Sequence, residues 1–316
     1  MRKIKFITAV LLSLIIVFST GTALVYSYGG QNNENTTESY ATPSDAEPQT
    51  PSDAPAITPS GPLNYVVIGD SIARGSGVMN HDEASFGRIV ADTDGFAYAN
   101  YGVDGYRSKD ILNKTLKRSE VISSISNADI ISISVGGNNY IYSNIIKLLL
   151  GGIVFRNKGV LDEVLDPFYS DFCQIIDKIK TLNPDVVIIV QTLYNPVTGL
   201  LKDYAKIAID ELNSRFYQYD EEHPGTIHIA DVASALDGQA DCFAVIHPTA
   251  KGNVKIAEVL LALLKELGLG EETEPVINNK GINTIEYYFG CLLNPRKISV
   301  TLPDGEPSFE ALPESD

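Results

Sequence analysis

The chain has 316 residues, 44% hydrophobic and 20% charged, with a formal net charge of −16. That is apolar material for one sizeable core, and a charge balance opposite to the one nucleic acid selects. Three cysteines, Cys173, Cys242 and Cys291, are too few and too scattered for a disulfide framework, and no Cys-x-x-Cys pair points to zinc; a single Cys242–Cys291 bridge and three free thiols both stay open.

Arg2, Lys3 and Lys5 precede an almost unbroken apolar run over residues 6–18, which small polar residues follow. This order predicts an export signal within residues 1–28, with the remainder outside the membrane, at the cell surface or free. Gly21-Thr22-Ala23 suits cleavage, whereas Leu24-Val25-Tyr26 lengthens the segment toward an anchor, and both outcomes stay open. Residues 29–61 contain no Lys or Arg, are rich in Asn, Thr, Ser, Pro and acidic residues, and repeat Thr-Pro-Ser-Asp-Ala at 42–46 and 50–54. Such a segment buries too little apolar surface to offset its ordering entropy, so a disordered spacer is expected.

From residue 62 to 267, strand-like and helix-like runs alternate, the pattern of an α/β domain with a parallel sheet covered on both faces. Five strands are expected, at 65–68, 96–100, 129–135, 186–191 and 226–230. Helices are expected near 85–92, 108–123, 140–150, 161–182, 199–219 and 250–267. Beyond residue 268 the chain turns acidic and irregular. Strand-like runs at 284–293 and 298–302 predict a small hairpin, and residues 303–316 a disordered tail.

The first strand organises the candidate chemistry. Tyr65-Val66-Val67-Ile68 is apolar without alternation, as in a strand buried on both faces, and Gly69-Asp70-Ser71 stops it. Ser71 then lies at the carboxyl end of the strand, where open α/β sheets place their ligand crevice. A serine nucleophile needs a base at its hydroxyl and donors aimed at the developing oxyanion. Candidate donors follow the second and third strands, in Asn100-Tyr-Gly-Val-Asp-Gly105 and Gly136-Gly137-Asn138-Asn139; each also reads as an ordinary turn. Of four histidines, His247, in His247-Pro248 after the last strand and before the last helix, is the candidate base. No dinucleotide fingerprint, phosphate loop or metal-ligand cluster is present in the sequence, so no cofactor is expected.

Taken together, these blocks resemble those of the SGNH hydrolases, the GDSL esterases and lipases, over residues 64–267. Leu193-Tyr194-Asn195-Pro196 further resembles the exported Gram-positive branch. The resemblance implies a three-layer flavodoxin-like α/β fold. It also implies Ser71 as nucleophile, with its own N–H, the Gly105 N–H and the Asn138 amide forming the oxyanion hole, and His247 as general base and then acid. Two positions depart from the family pattern. Asn139 replaces the usual Asp, a change expected to affect loop support. Ala244 stands three residues before His247, where the family places the acid of its Asp-x-x-His-Pro block. Asp241, six residues before, is the remaining candidate if the loop bulges; otherwise a backbone carbonyl orients the imidazole of a Ser–His dyad.

The apolar stretch 140–155 reads as a core helix or as a wall for an acyl chain. The expected function is ester hydrolysis through an acyl-serine, on lipid or fatty-acyl esters. The alternatives are deacetylation of cell-wall glycans and a non-catalytic surface-binding protein on the same fold.

Overall fold

The structure, a computed structural model, describes residues 61–143, 147, 157–197 and 202–283, with the backbone of 297–300 and 308–311. The chain divides into a unit Met1–Pro62, nearly all of which lies outside the described residues, and a unit Leu63–Asp316 that carries everything below. The predicted signal and spacer, and most of the 140–155 stretch, therefore lie outside them. Among the described residues no helix is long and apolar enough to cross a membrane.

Five parallel strands form one sheet in the order β2-β1-β3-β4-β5: β1 Asn64–Gly69, β2 Ala97–Gly102, β3 Ile130–Ser134, β4 Val187–Gln191 and β5 His228–Ala230. All five predicted strands are present within a few residues. In β1 and β3 nearly every side chain is buried, because successive residues point to opposite covered faces. Gly69 at the end of β1 is level with Gly102 of β2 and Ser134 of β3. The chain winds away from β1 in both directions, so the β1/β3 gap is the topological switch point, and three strand ends open into it side by side.

One face, with Val66, Ile68, Ile131, Ile133, Ile188 and Val190, is covered by α4 Ser108–Asn113, α5 Ser119–Ser126, α7 Lys158–Leu182 and α8 Lys202–Glu222. The rings of Phe172, Phe216 and Tyr219 lock α7 to α8, with Phe172 centred 5.1 Å from Phe216 and 5.4 Å from Tyr219. The other face, with Tyr65, Val67, Ile130 and Ile189, takes α3 Phe86–Asp94, α9 Val232–Leu236 and α10 Ala250–Glu266. The described residues also include three short helices: α1 Ser71–Arg74, α2 His81–Ala84 and α6 Gly137–Ile141.

The helix expected over 108–123 is broken by a 3₁₀ turn at Thr115–Lys117. Ile111, Leu116 and Val121 are all fully buried. Side chains five apart on one helix diverge by about 140°, so only a break lets all three face the core. An unexpected two-stranded hairpin, β6 Phe243–Ala244 with β7 His247–Pro248, precedes α10. The C-terminal hairpin also differs from expectation: β8 Lys297–Val300 overlaps the predicted run at 298–302, but its partner is β9 Ser308–Ala311, within the stretch read as a disordered tail. The run at 284–293 lies outside the described residues. Cys173 and Cys242 are free thiols, and Cys291 is not among the described residues.

Candidate active site

Ser71 is the first residue of α1. The Asp70 carboxylate before it accepts the Ile72 N–H at 2.9 Å, capping a helix too short to hold itself. The Ser71 carbonyl accepts the N–H groups of Gly75 and Ser76, closing the turn behind the side chain. Ser71 is 8% exposed, and its Oγ lies 2.9 Å from His247 Nε2, across 176 residues of sequence. With Nε2 unprotonated, the hydroxyl donates to it, the arrangement that activates a serine.

His247 owes its place to the hairpin. Its Cα is level with that of Ala244, and the two-residue loop between them puts Val245 at φ 61°, a region β-branched residues seldom enter. Tyr194, fully buried, donates its Oη to Ile246 O at 2.8 Å and stacks on Phe243 with ring centres 4.8 Å apart, so the residue before His247 is held from below. Burial pushes the His247 pKa down to about 4, against a weaker upward pull from Asp104.

The two predicted donor loops flank this pair. After β2, Val103 N–H bonds to Gly69 O and the Asn100 amide donates to Ala73 O, stitching the loop onto β1 and α1. Gly105 turns at φ 75°, where a side chain would be strained and would meet the Tyr142 hydroxyl. After β3, Asn138 is 7% exposed and donates one Nδ2 hydrogen to Tyr106 O at 2.9 Å, which aims the amide and leaves its second hydrogen for a ligand. Asn139 grips Ser108 through both amide atoms, and Ser108 in turn donates to Asp171. The residue standing for the usual Asp thus supports the loop, as expected.

Asp241 does not join the site. Residues 240–242 form a 3₁₀ turn and 243–248 the hairpin, so the five residues between it and His247 fold into a compact unit and do not bulge. The Asp241 carboxylate is paired with Lys251, which holds its pKa below the usual range. Among the described residues no hydrogen-bond acceptor reaches His247 Nδ1.

Asp104, one residue before Gly105, was not singled out by sequence. It takes hydrogen bonds from Arg74 and Ser76, three and five residues after Ser71. A lone acid in a Gly-containing turn carries no signal of such pairing. Tyr194 stands out in the sequence only within the family-like segment 193–196; its support of the residue before His247 depends on a contact 52 residues away. Among the described residues no group of three or more His, Cys, Asp or Glu side chains is placed to hold a metal ion.

The family model for GDSL-like lipases and acylhydrolases matches residues 67–255, more than half of the chain. The chain belongs to this family. Ser71, Gly105, Asn138 and His247 all lie within the matched GDSL-like region. An uncharacterized Bacillus subtilis (strain 168) protein, YpmR, is 28% identical over 227 residues, covering 65% of this chain and 82% of its own. Among solved structures, the lipase Lip_vut3 from goat rumen metagenome superposes with a TM-score of 0.53 at 19% identity, covering 66% of this chain and 99% of the lipase. An extracellular lipase from Streptomyces rimosus superposes with a TM-score of 0.51 at 19% identity, covering 63% and 99%. At that identity the likeness is one of fold, and it is the GDSL hydrolase α/β fold.

Proposed function

We propose that this GDSL-family chain is an exported ester hydrolase that works by a Ser71–His247 dyad. The carrying observation is the 2.9 Å hydrogen bond between Ser71 Oγ and His247 Nε2. In this reading Ser71 Oγ attacks the ester carbonyl while Nε2 takes its proton. The oxyanion is met by the N–H groups of Ser71 and Gly105 and by the Asn138 amide. As the C–O bond breaks, His247 returns the proton to the leaving alcohol, and a water activated by the same nitrogen releases the acid. Lipid or fatty-acyl esters are the proposed substrates. The apolar sequence at 145–155 supports this, as do Met79, Tyr142 and Val245, exposed at 36%, 44% and 42% on the loops after β1 and β3 and on the base hairpin. Export rests on the sequence of residues 1–28.

A non-catalytic ester-binding protein is the second reading, favoured by the absence, among the described residues, of an acceptor on His247 Nδ1. Hydrolysis of p-nitrophenyl esters over a chain-length series, with fluorophosphonate labelling, separates the two. The dyad predicts turnover and labelling that Ser71→Ala abolishes, with an optimum at medium or long chains. An acetyl optimum would move the substrate to small acyl groups. Neither turnover nor labelling would leave the binding reading.

A further inference from the structure

We infer that residues 276–283, beyond the family-matched region, form a strap that sets the alignment of nucleophile and base, and that Asn283 is its positioning residue. This rests on the Ser71–His247 reading above.

After α10 the chain turns back along α3: the Asp94 carboxylate accepts the N–H groups of Glu271 and Glu272 at 3.2 Å each, and the Thr93 hydroxyl accepts that of Val276 at 2.9 Å. It then pairs with the loop that follows Ser71. Met79 N–H donates to Ile282 O at 2.8 Å, Ile282 N–H donates to Asn80 Oδ1 at 3.0 Å, and Val78 bridges Asn283. Asn283 is 1% exposed, and its Oδ1 accepts the Ala250 N–H at 2.8 Å.

That N–H is one of the donors a helix start leaves without an internal partner, and Ala250 begins α10 three residues after His247. Asn283 therefore ties two elements together: its side chain holds the start of the base's helix, and its backbone bridges the loop of the nucleophile. The two loops have no slack between them: a Cβ on Gly77 would lie 2.1 Å from Pro248 O and 3.0 Å from His247 Cβ. Losing Asn283 leaves a buried N–H unpaired, and the simplest relaxation is a shift of the α10 start that carries His247 away from Ser71. Misplacements of an ångström between reacting groups cost turnover steeply. Asn283 acts through Ala250, by its side chain, and through Val78, by its backbone.

The test uses the full chain. Parent, Asn283→Ala and Asn283→Asp are compared by circular dichroism, by p-nitrophenyl ester kinetics and by the rate of fluorophosphonate labelling of Ser71. The Asp variant keeps an oxygen acceptor for Ala250. Asn283→Ala is expected to lower kcat and the labelling rate together by about tenfold with KM within about twofold, and Asn283→Asp to restore most of the loss. Should Asn283→Ala fail to fold, Asn80→Ala releases the same strap at Ile282 and carries the same expectation. A parent that neither labels nor turns over ester overturns the hydrolase reading itself. If the parent is active, the strap is overturned by a folded variant at the parent's rate, by a loss confined to KM, or by failure of the Asp variant to rescue.

Discussion

Among the described residues no hydrogen-bond acceptor reaches the Nδ1 of His247, and that makes its chemistry testable. A base must be neutral to accept the serine proton, and burial holds His247 neutral down to about pH 4. The rate of ester hydrolysis is therefore expected to stay on its plateau below pH 6 and to fall as pH drops through about 4, measured as a kcat/KM profile. A limb at or above 6.5 would instead reveal an acid partner. Asp241→Ala speaks to the same point from the other side. Its carboxylate is largely solvent-exposed and bound to Lys251, so the substitution is expected to leave kcat within about twofold, whereas removing the acid of a working triad costs about 10⁴. Ser71, Gly105, Asn138 and His247 were all legible as blocks with recognisable spacing. The exclusion of Asp241 was not, because six residues of separation are compatible with a bulge or a hairpin, and only the hydrogen bonds of 240–248 choose between them.

The β6–β7 hairpin is the element on which the missing acid turns. Its register sets Ala244 opposite His247, and directly opposed residues of an antiparallel pair carry their side chains on one face with Cβ atoms about 5 Å apart. Ala244→Asp is accordingly expected to set a carboxylate at Nδ1, raise kcat by tenfold or more and move the acidic limb of the profile upward, because a neighbouring negative charge favours the imidazolium. Ala244 is 7% exposed, so the same substitution should lower Tm; a variant equal to the parent in both kcat and pH limb would show that the hairpin points position 244 elsewhere. The helices show the same division between local and distant causes. Helices α7, α8 and α10 fall close to where periodicity puts them, while the break at 115–117 answers to the burial of Leu116 against a sheet built by other parts of the chain.

The stability of the folded unit is tied to pH through two buried groups of opposite sign. Burial raises the Asp70 pKa from 3.8 to about 7, so between those values the native state holds a proton the unfolded chain has lost, and this group makes stability fall as pH rises. His247, lowered from 6.5 to about 4, does the reverse: the unfolded chain binds the proton first, and stability rises with pH across that window. In the parent the two oppose each other between about pH 4 and 6.5. Asp70→Asn keeps the oxygen that caps Ile72 and removes one of them. It is expected to raise Tm by several degrees at pH 8 and to leave a melting temperature that climbs from pH 4 to 6.5 and then levels. Thermal melts of both proteins across pH 4–8 check this; a Tm at pH 8 unchanged by the substitution would mean Asp70 is ionised without cost.

Local chemistry was enough to foresee a five-stranded parallel sheet, a serine at the end of its first strand and a histidine before its last helix. Unbroken apolar runs, turn residues and helix starts are properties of neighbouring residues. Distant residues decided the rest. That Asp241 pairs with Lys251, that Tyr194 holds the residue before His247, and that a segment beyond the matched region reaches back to Val78 and Ala250 all depend on contacts whose partners become neighbours only once the sheet has closed. A pairing of that kind has no period and no fixed spacing, since it is set by which loops the β1/β3 switch point brings to one edge of the sheet.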